Sequence, residues 1–171
     1  VDQAQNIILH KGAFRMGTEG NLTLGELRSS DSLEIWDSQG VVIDHCDIMW
    51  GTDETLSLSG GHIDLARSLE SVTIQHCLIG EGLRTPNKLK GESHSMGAFL
   101  AGYWDRISFI GNLFVSSQDR NPSMFVGRLV TDTTAAHLQL INNLWYHNLY
   151  NISLGWPNYV SATLYVDIIG N

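Results

Sequence analysis

Six short β-prone runs recur along the chain, each ending in a small polar, basic or cysteine residue: NIILHK from Asn6, VVIDHC from Val41, VTIQHC from Val72, ISFIGN from Ile107, LQLINN from Leu138 and LYVDIIGN from Leu164. Aligned on Lys11, Cys46, Cys77, Asn112, Asn143 and Asn171, they lie 35, 31, 35, 31 and 28 residues apart. A period of this size marks stacked repeats, in which each unit contacts only its neighbours. The runs are rich in Val, Ile, Leu and Thr with near-alternating polarity, and no amphipathic helical stretch of about a dozen residues separates them. That excludes most helical solenoids. Leucine-rich repeats would show a tighter leucine signature and a shorter period, and propeller blades would need four antiparallel strands in about 40 to 50 residues. The pattern therefore predicts an all-β fold, a parallel β-helix, with residues 1–171 forming a single solenoid domain. In such a fold each coil contributes short strands that pair with the equivalent strands above and below, so equivalent residues stack in columns.

Two columns follow. Asn112, Asn143 and Asn171 share one register, which favours a ladder of amides hydrogen-bonded from coil to coil over isolated turn asparagines. Cys46 and Cys77 fall in the same column on preceding coils. Strand spacing permits a disulfide on distance alone, but parallel in-register neighbours often point the wrong way, which favours stacked free thiols. Neither cysteine has CxxC or Cys/His metal spacing. The irregular stretches from Met16 to Arg28, Gly80 to Met96, Ser116 to Thr134 and Asn148 to Val160 are expected to be loops gathered on the flank of the coils, where a solenoid carries its chemistry. Neither end of the chain has a clear amphipathic capping helix, so further coils or caps are expected beyond both. The chain opens at Val1 without an initiator Met, as a mature product, an excised domain or a fragment would.

The formal net charge is −8, and no cluster of Lys and Arg is present, which argues against a nucleic-acid partner. An acidic chain can still bind a polyanion if a divalent cation bridges the two and a few basic side chains gather at the site. No apolar run approaches the roughly 18 residues of a membrane span. Nucleophile elbow, P-loop and dinucleotide fingerprints are all missing. The segment from Asp31 to Gly61 holds Asp31, Glu34, Asp37, Asp44, Asp47, Asp53 and Glu54. Carboxylates on the same side of neighbouring coils can converge on Ca²⁺, which takes oxygen ligands in loose geometry; a solvated acidic surface would have the same composition.

The strings DSLEIWDSQGVVIDHC, WGTDETLSLSGG, VTIQHCLIGEGL, HSMGAFLAG, GNLFVSSQDRNP and LQLINNLWYHN, in that order from about Asn6 to Asn148, resemble the pectate lyase family. The resemblance implies a right-handed parallel β-helix and a secreted enzyme that cleaves polygalacturonate by calcium-assisted β-elimination. Asp31 and Asp53 match acidic calcium ligands, while Ser57 and Ser29 stand where relatives carry further ligands, and Glu54 is a candidate to restore the thinned carboxylate set. The Asp44 of IDH matches a structural aspartate on a central coil. Arg120, in QDRNP, matches the catalytic base. Free arginine is a poor base, but it becomes effective where a cation on the uronate carboxylate acidifies the C5 hydrogen. Phe125 replaces a second arginine of the family, for which Arg128 is the substitute, and His94 stands near the position of a substrate-binding lysine, with Lys88, Lys90 or Arg84 as alternatives. Trp104 and Tyr103 are expected to be exposed for sugar stacking, although core packing accounts equally well for most tryptophans. The expected partner is polygalacturonate or a related acidic polysaccharide, the expected state a monomer.

Two rivals remain. A polygalacturonase-like hydrolase on a similar solenoid would need two carboxylic acids poised across the bond. A non-catalytic carbohydrate-binding or adhesin-type β-helix would tolerate the missing arginine and lysine equivalents.

Overall fold

The computed structural model describes residues 1–17, 30–61, 68–84, 94–125, 135–154 and 163–171. Every regular element among them is a β-strand. Numbered along the chain, β1 (Gln5–His10), β4 (Gln39–Asp44), β7 (Leu69–Gln75), β10 (Trp104–Ile110), β13 (Ala135–Ile141) and β16 (Thr163–Ile169) form one parallel sheet in that spatial order. A second sheet stacks β2 (Ala13–Arg15), β5 (Asp47–Met49), β8 (Leu78–Gly80), β11 (Leu113–Val115) and β14 (Leu144–Tyr146). The third stacks β3 (Leu33–Trp36), β6 (Glu54–Ser59), β9 (Met96–Ala101), β12 (Ser123–Met124) and β15 (Ser153–Leu154). The chain visits the three sheets in turn and then rises one coil, which makes the expected parallel β-helix.

Period-two alternation explains which side chains face inward. In the first sheet Val41, Val72, Ile107 and Leu138 are in register and buried, as are Ile43, Ile74, Phe109 and Leu140. The residues between them (Val42, Thr73, Ser108 and Gln139) face outward. Phe14, Ile48, Ile79, Phe114 and Trp145 make the corresponding column of the second sheet, where the Phe114 and Trp145 rings stack 5.5 Å apart. Leu33, Leu56 and Ala98, then Ile35, Leu58 and Leu100, fill the core from the third.

The asparagine ladder forms as the shared register predicts. Asn112 Nδ2 donates to Asn143 Oδ1 at 3.0 Å, and Asn143 Nδ2 donates to Asn171 Oδ1 at 3.1 Å. Each buried amide also binds the backbone: the Cys77 N–H donates to Asn112 Oδ1, while the Ile74 and Phe109 carbonyls accept from Asn112 and Asn143. Buried amides satisfied in this way stabilise the turn instead of costing their desolvation. Cys46 and Cys77 are buried free thiols in adjacent coils, with the Cys46 N–H 3.4 Å from Cys77 Sγ. One alignment is off by a residue. β1 pairs His10 with Asp44, which puts Gly12, not Lys11, in the cysteine and asparagine column, and the Gly12 N–H points at Cys46 Sγ.

Two stretches expected to be wholly irregular contain strands, β12 and β15. Two residues are too few to show a period, and only pairing with the coil before reveals them. The turns from the second sheet to the third all lie along one edge of the stack, and the candidate site is built there.

Candidate active site

Asp31 sits two residues before β3, and Asp53 immediately before β6. Because the two turns stack, residues 22 positions apart in the chain meet at one seam. The backbone closes the arrangement: the N–H groups of Thr52 and Asp53 both donate to the Ser30 carbonyl, at 2.9 and 3.2 Å. The Glu54 N–H donates to Asp31 Oδ1 at 3.0 Å. Asp31, Asp53 and Glu54 each present a carboxylate oxygen within 4.8 Å of the others. They border an open depression of ≈ 400 Å³ whose lining also includes Met16, Ser30 and Glu34.

This crowding has an electrostatic signature. Burial pushes the Asp31 carboxyl up to about 6, a hydrogen bond from Ser57 opposes the rise, the neighbouring Asp53 charge adds to it, and Arg120 partly offsets it. The Glu34 carboxyl is also raised, by burial first and then by Asp31. Negative charge here is under-compensated, and a cation would relieve it.

Arg120 reaches the same seam from the turn before β12. Its Nη1 pairs with Glu54 Oε1, and its guanidinium carbon lies 4.7 Å from the centre of the Phe99 ring. Burial lowers the Arg120 pKa from its ordinary value, while Asp53 and Asp31 pull the other way. The side chain is half-buried, so it is not the freely exposed arginine of an ordinary surface. Gly97 makes room for this turn: a Cβ there would meet Asn121 Oδ1 at 2.1 Å and the Arg120 carbonyl at 2.7 Å. The Gly97 N–H donates to the Asp119 carbonyl, fastening the turn to β9.

The structure thus brings Asp31, Asp53, Ser57 and Arg120 together, with Ser57 buried and in register with Glu34 and Phe99. Their donor set, carboxylates with a hydroxyl, is the all-oxygen kind that Ca²⁺ takes. Two features escaped the reading of the sequence: the capture of Arg120 by Glu54, and Phe99 as its platform. No linear motif signals either, because the partners lie on three different coils. His94 turns toward the site, with Nδ1 3.2 Å from Asp53 Oδ1 and only 12% of the side chain exposed. That contact lets it orient a carboxylate of the group. Lys88, Lys90 and Arg128 lie outside the described residues, as does Ser29.

Trp104 requires a correction. It is 3% exposed, belongs to the core and donates its indole N–H to the Phe125 carbonyl at 2.9 Å, and Tyr103 is 5% exposed. Trp104 pairs in register with the buried Leu69, so it takes an inward position at the first residue of β10. Among the described tryptophans, Trp50 is the exposed one.

A β-helix with an acidic, arginine-bearing seam on its flank is the class that fold and site define. Among curated proteins the chain is 29% identical over 121 residues to Probable pectate lyase C of Aspergillus flavus, matching 71% of this chain and 24% of the relative. It is 28% identical over 172 residues to Probable pectate lyase C of Aspergillus terreus, matching 98% of this chain and 32% of the relative. The matches are thus to proteins named pectate lyase, the family whose motifs the sequence resembles. It spans between about a quarter and a third of the length of these relatives. No family model matches the chain, and no solved structure does.

Proposed function

We propose that the chain supplies the catalytic coils of a secreted polysaccharide lyase that cleaves polygalacturonate by calcium-assisted β-elimination, with Arg120 as the base. The observation that carries this reading is a half-buried guanidinium of lowered pKa, held against a three-carboxylate group beside an open depression. Asp31 and Asp53, with Ser57, would hold the cation, and Glu54 adds a carboxylate to the set. Calcium bound there would neutralise the substrate's uronate carboxylate and so acidify the adjacent C5 hydrogen.

Glu54 and Phe99 position the guanidinium, so little orientation remains to be lost when substrate binds. Burial makes release of a proton from Arg120 less costly than from free arginine. Neutral Arg120 then accepts the C5 proton. The C5–H electron pair forms the C4–C5 double bond, the C4–oxygen bond breaks with its electrons going to the departing oxygen, and that oxygen takes a proton from water as the other half of the chain leaves. His94 holds Asp53 in place. The same reading has the protein act outside the cell, as a monomer, with neither nucleic acid nor membrane as partner.

The test is ultraviolet absorbance of the unsaturated uronate product on polygalacturonate, with calcium or with chelator. A band that requires calcium and is lost in Arg120→Lys is expected. Reducing ends without the band would mean a hydrolase, and neither signal would mean a binding module; both outcomes refute the lyase.

A further inference from the structure

A second group of ionisable side chains lies at a different corner of the coil, where the first sheet turns into the second. Asp44, the last residue of β4, is its centre. Its Oδ2 lies 2.8 Å from His10 Nδ1, and its Oδ1 lies 2.8 Å from His45 Nδ1 and 3.3 Å from His76 Nδ1. The Gln75 amide donates to the same Oδ1 at 3.0 Å. These hydrogen bonds, that of Gln75 foremost, hold the Asp44 carboxyl below its ordinary value. The imidazoles also touch one another: the ring centres of His10 and His45 are 5.9 Å apart, and those of His45 and His76 are 4.8 Å apart. Each histidine side chain is about half exposed.

The turn itself does not call for histidine. Lys11, His45, His76, Gly111, Asn142 and Gly170 occupy one position of successive coils, and all have φ between 52° and 66°. Left-handed backbone favours Gly and Asn, the residues present on the last three coils. His45 and His76 accept a conformation that costs them more, and with His10 they put one imidazole on each of three consecutive coils, around one carboxylate.

We propose that His10, Asp44 and His45, with His76 adjoining, form a binding site for a borderline divalent transition ion of the zinc or copper class, separate from the oxygen-lined seam. His10, Asp44 and His45 each present a ligand atom within 4.8 Å of the other two. Imidazole nitrogen prefers zinc and copper, whereas calcium prefers oxygen, so the two sites differ in the ion they select. Binding needs only a change of tautomer. The proton on each Nδ1 moves to Nε2, the freed Nδ1 lone pairs face the ion, and Asp44 supplies the compensating charge. An ion held by consecutive coils would also tie the first described coil, where Ile7 and Leu9 are only partly buried, to the next.

The experiment is calorimetric titration of Zn²⁺ into chelator-treated protein at neutral pH, in a background carrying Asp53→Asn to silence the acidic seam. One zinc per chain is expected, undisturbed by excess Ca²⁺ and weakened at least tenfold by His45→Gln. His10→Gln, at an exposed position of the first coil, should weaken it likewise and serves if His45→Gln fails to fold. Cu²⁺ bound in the same background should show nitrogen hyperfine coupling from two or more imidazoles in electron paramagnetic resonance. Absence of zinc uptake, displacement by Ca²⁺, affinity unchanged in the folded variants, or an all-oxygen copper spectrum would each overturn the proposal.

Discussion

Replacing Asp31 by asparagine should stabilise the metal-free protein at neutral pH while removing its response to calcium. The folded-state pKa of Asp31 is raised from 3.8 to about 6. Its contribution to stability is therefore fully present below pH 3.8 and is lost as pH rises through 6, because the folded protein binds this proton more tightly than the unfolded chain does. A shift of about 2 units at 1.36 kcal/mol per unit sets an upper bound of about 3 kcal/mol, and solvent screening of this partly accessible group brings the expected effect nearer 1.5 kcal/mol. Asparagine keeps the Oδ1 that accepts from the Glu54 N–H but carries no charge to bury. Urea unfolding in chelator should thus find the two proteins alike near pH 4 once the effect of shape is subtracted, with the variant ahead by about 1 to 3 kcal/mol at pH 7.5. Added calcium should then raise the stability of the parent by mass action and leave the variant nearly unchanged. A variant less stable than the parent by the same amount at both pH values would refute the reasoning, since Asp31 would then be a purely structural residue.

Arg120→Lys should lower turnover on polygalacturonate by two orders of magnitude or more, since an ammonium cannot reproduce the planar fork that meets Glu54 and lies over Phe99, and should cost about 1 kcal/mol in urea unfolding. Gly97→Ala should cut the rate through displacement of the Arg120 turn while calcium affinity, read by calorimetry, changes less than threefold; an unchanged rate would mean that the turn position is irrelevant. Asn143→Ala removes the acceptor of the buried Asn112 N–H and the amide that donates to the Phe109 carbonyl, and should cost about 2 to 4 kcal/mol, measured by chemical denaturation. Burial pushes the Cys77 thiol up to about 12, so Ellman's reagent should label neither Cys46 nor Cys77 until the protein unfolds, and both thereafter.

Much of the fold was legible along the chain because a β-helix repeats one local rule. Alternation within VVIDHC, VTIQHC, ISFIGN and LQLINN decides which residues enter the core, and the common register of Asn112, Asn143 and Asn171 decides that their amides meet. Where the rule weakens, so does the reading. NIILHK carries no Cys or Asn at its end, and its alignment slipped from Gly12 to Lys11. Strands β12 and β15 are too short to have a period. Trp104 stands at the start of its strand, where alternation has no earlier residue to establish its phase, and only pairing with Leu69 turns it inward.

The site divides along the same line. Asp31, Asp53, Ser57 and Arg120 could be singled out as residues through their motifs, and the stack brings them to one seam. Composition and periodicity dictated the coils, their inward faces and the amide ladder, because these follow from neighbours one or two residues away and from a constant repeat. The pairing of Arg120 with Glu54 and the lodging of His94 on Asp53 were decided by tertiary structure. Each joins side chains from different coils, and their meeting depends on how turns of unequal length close onto a common edge, a geometry that no local stretch of the chain contains.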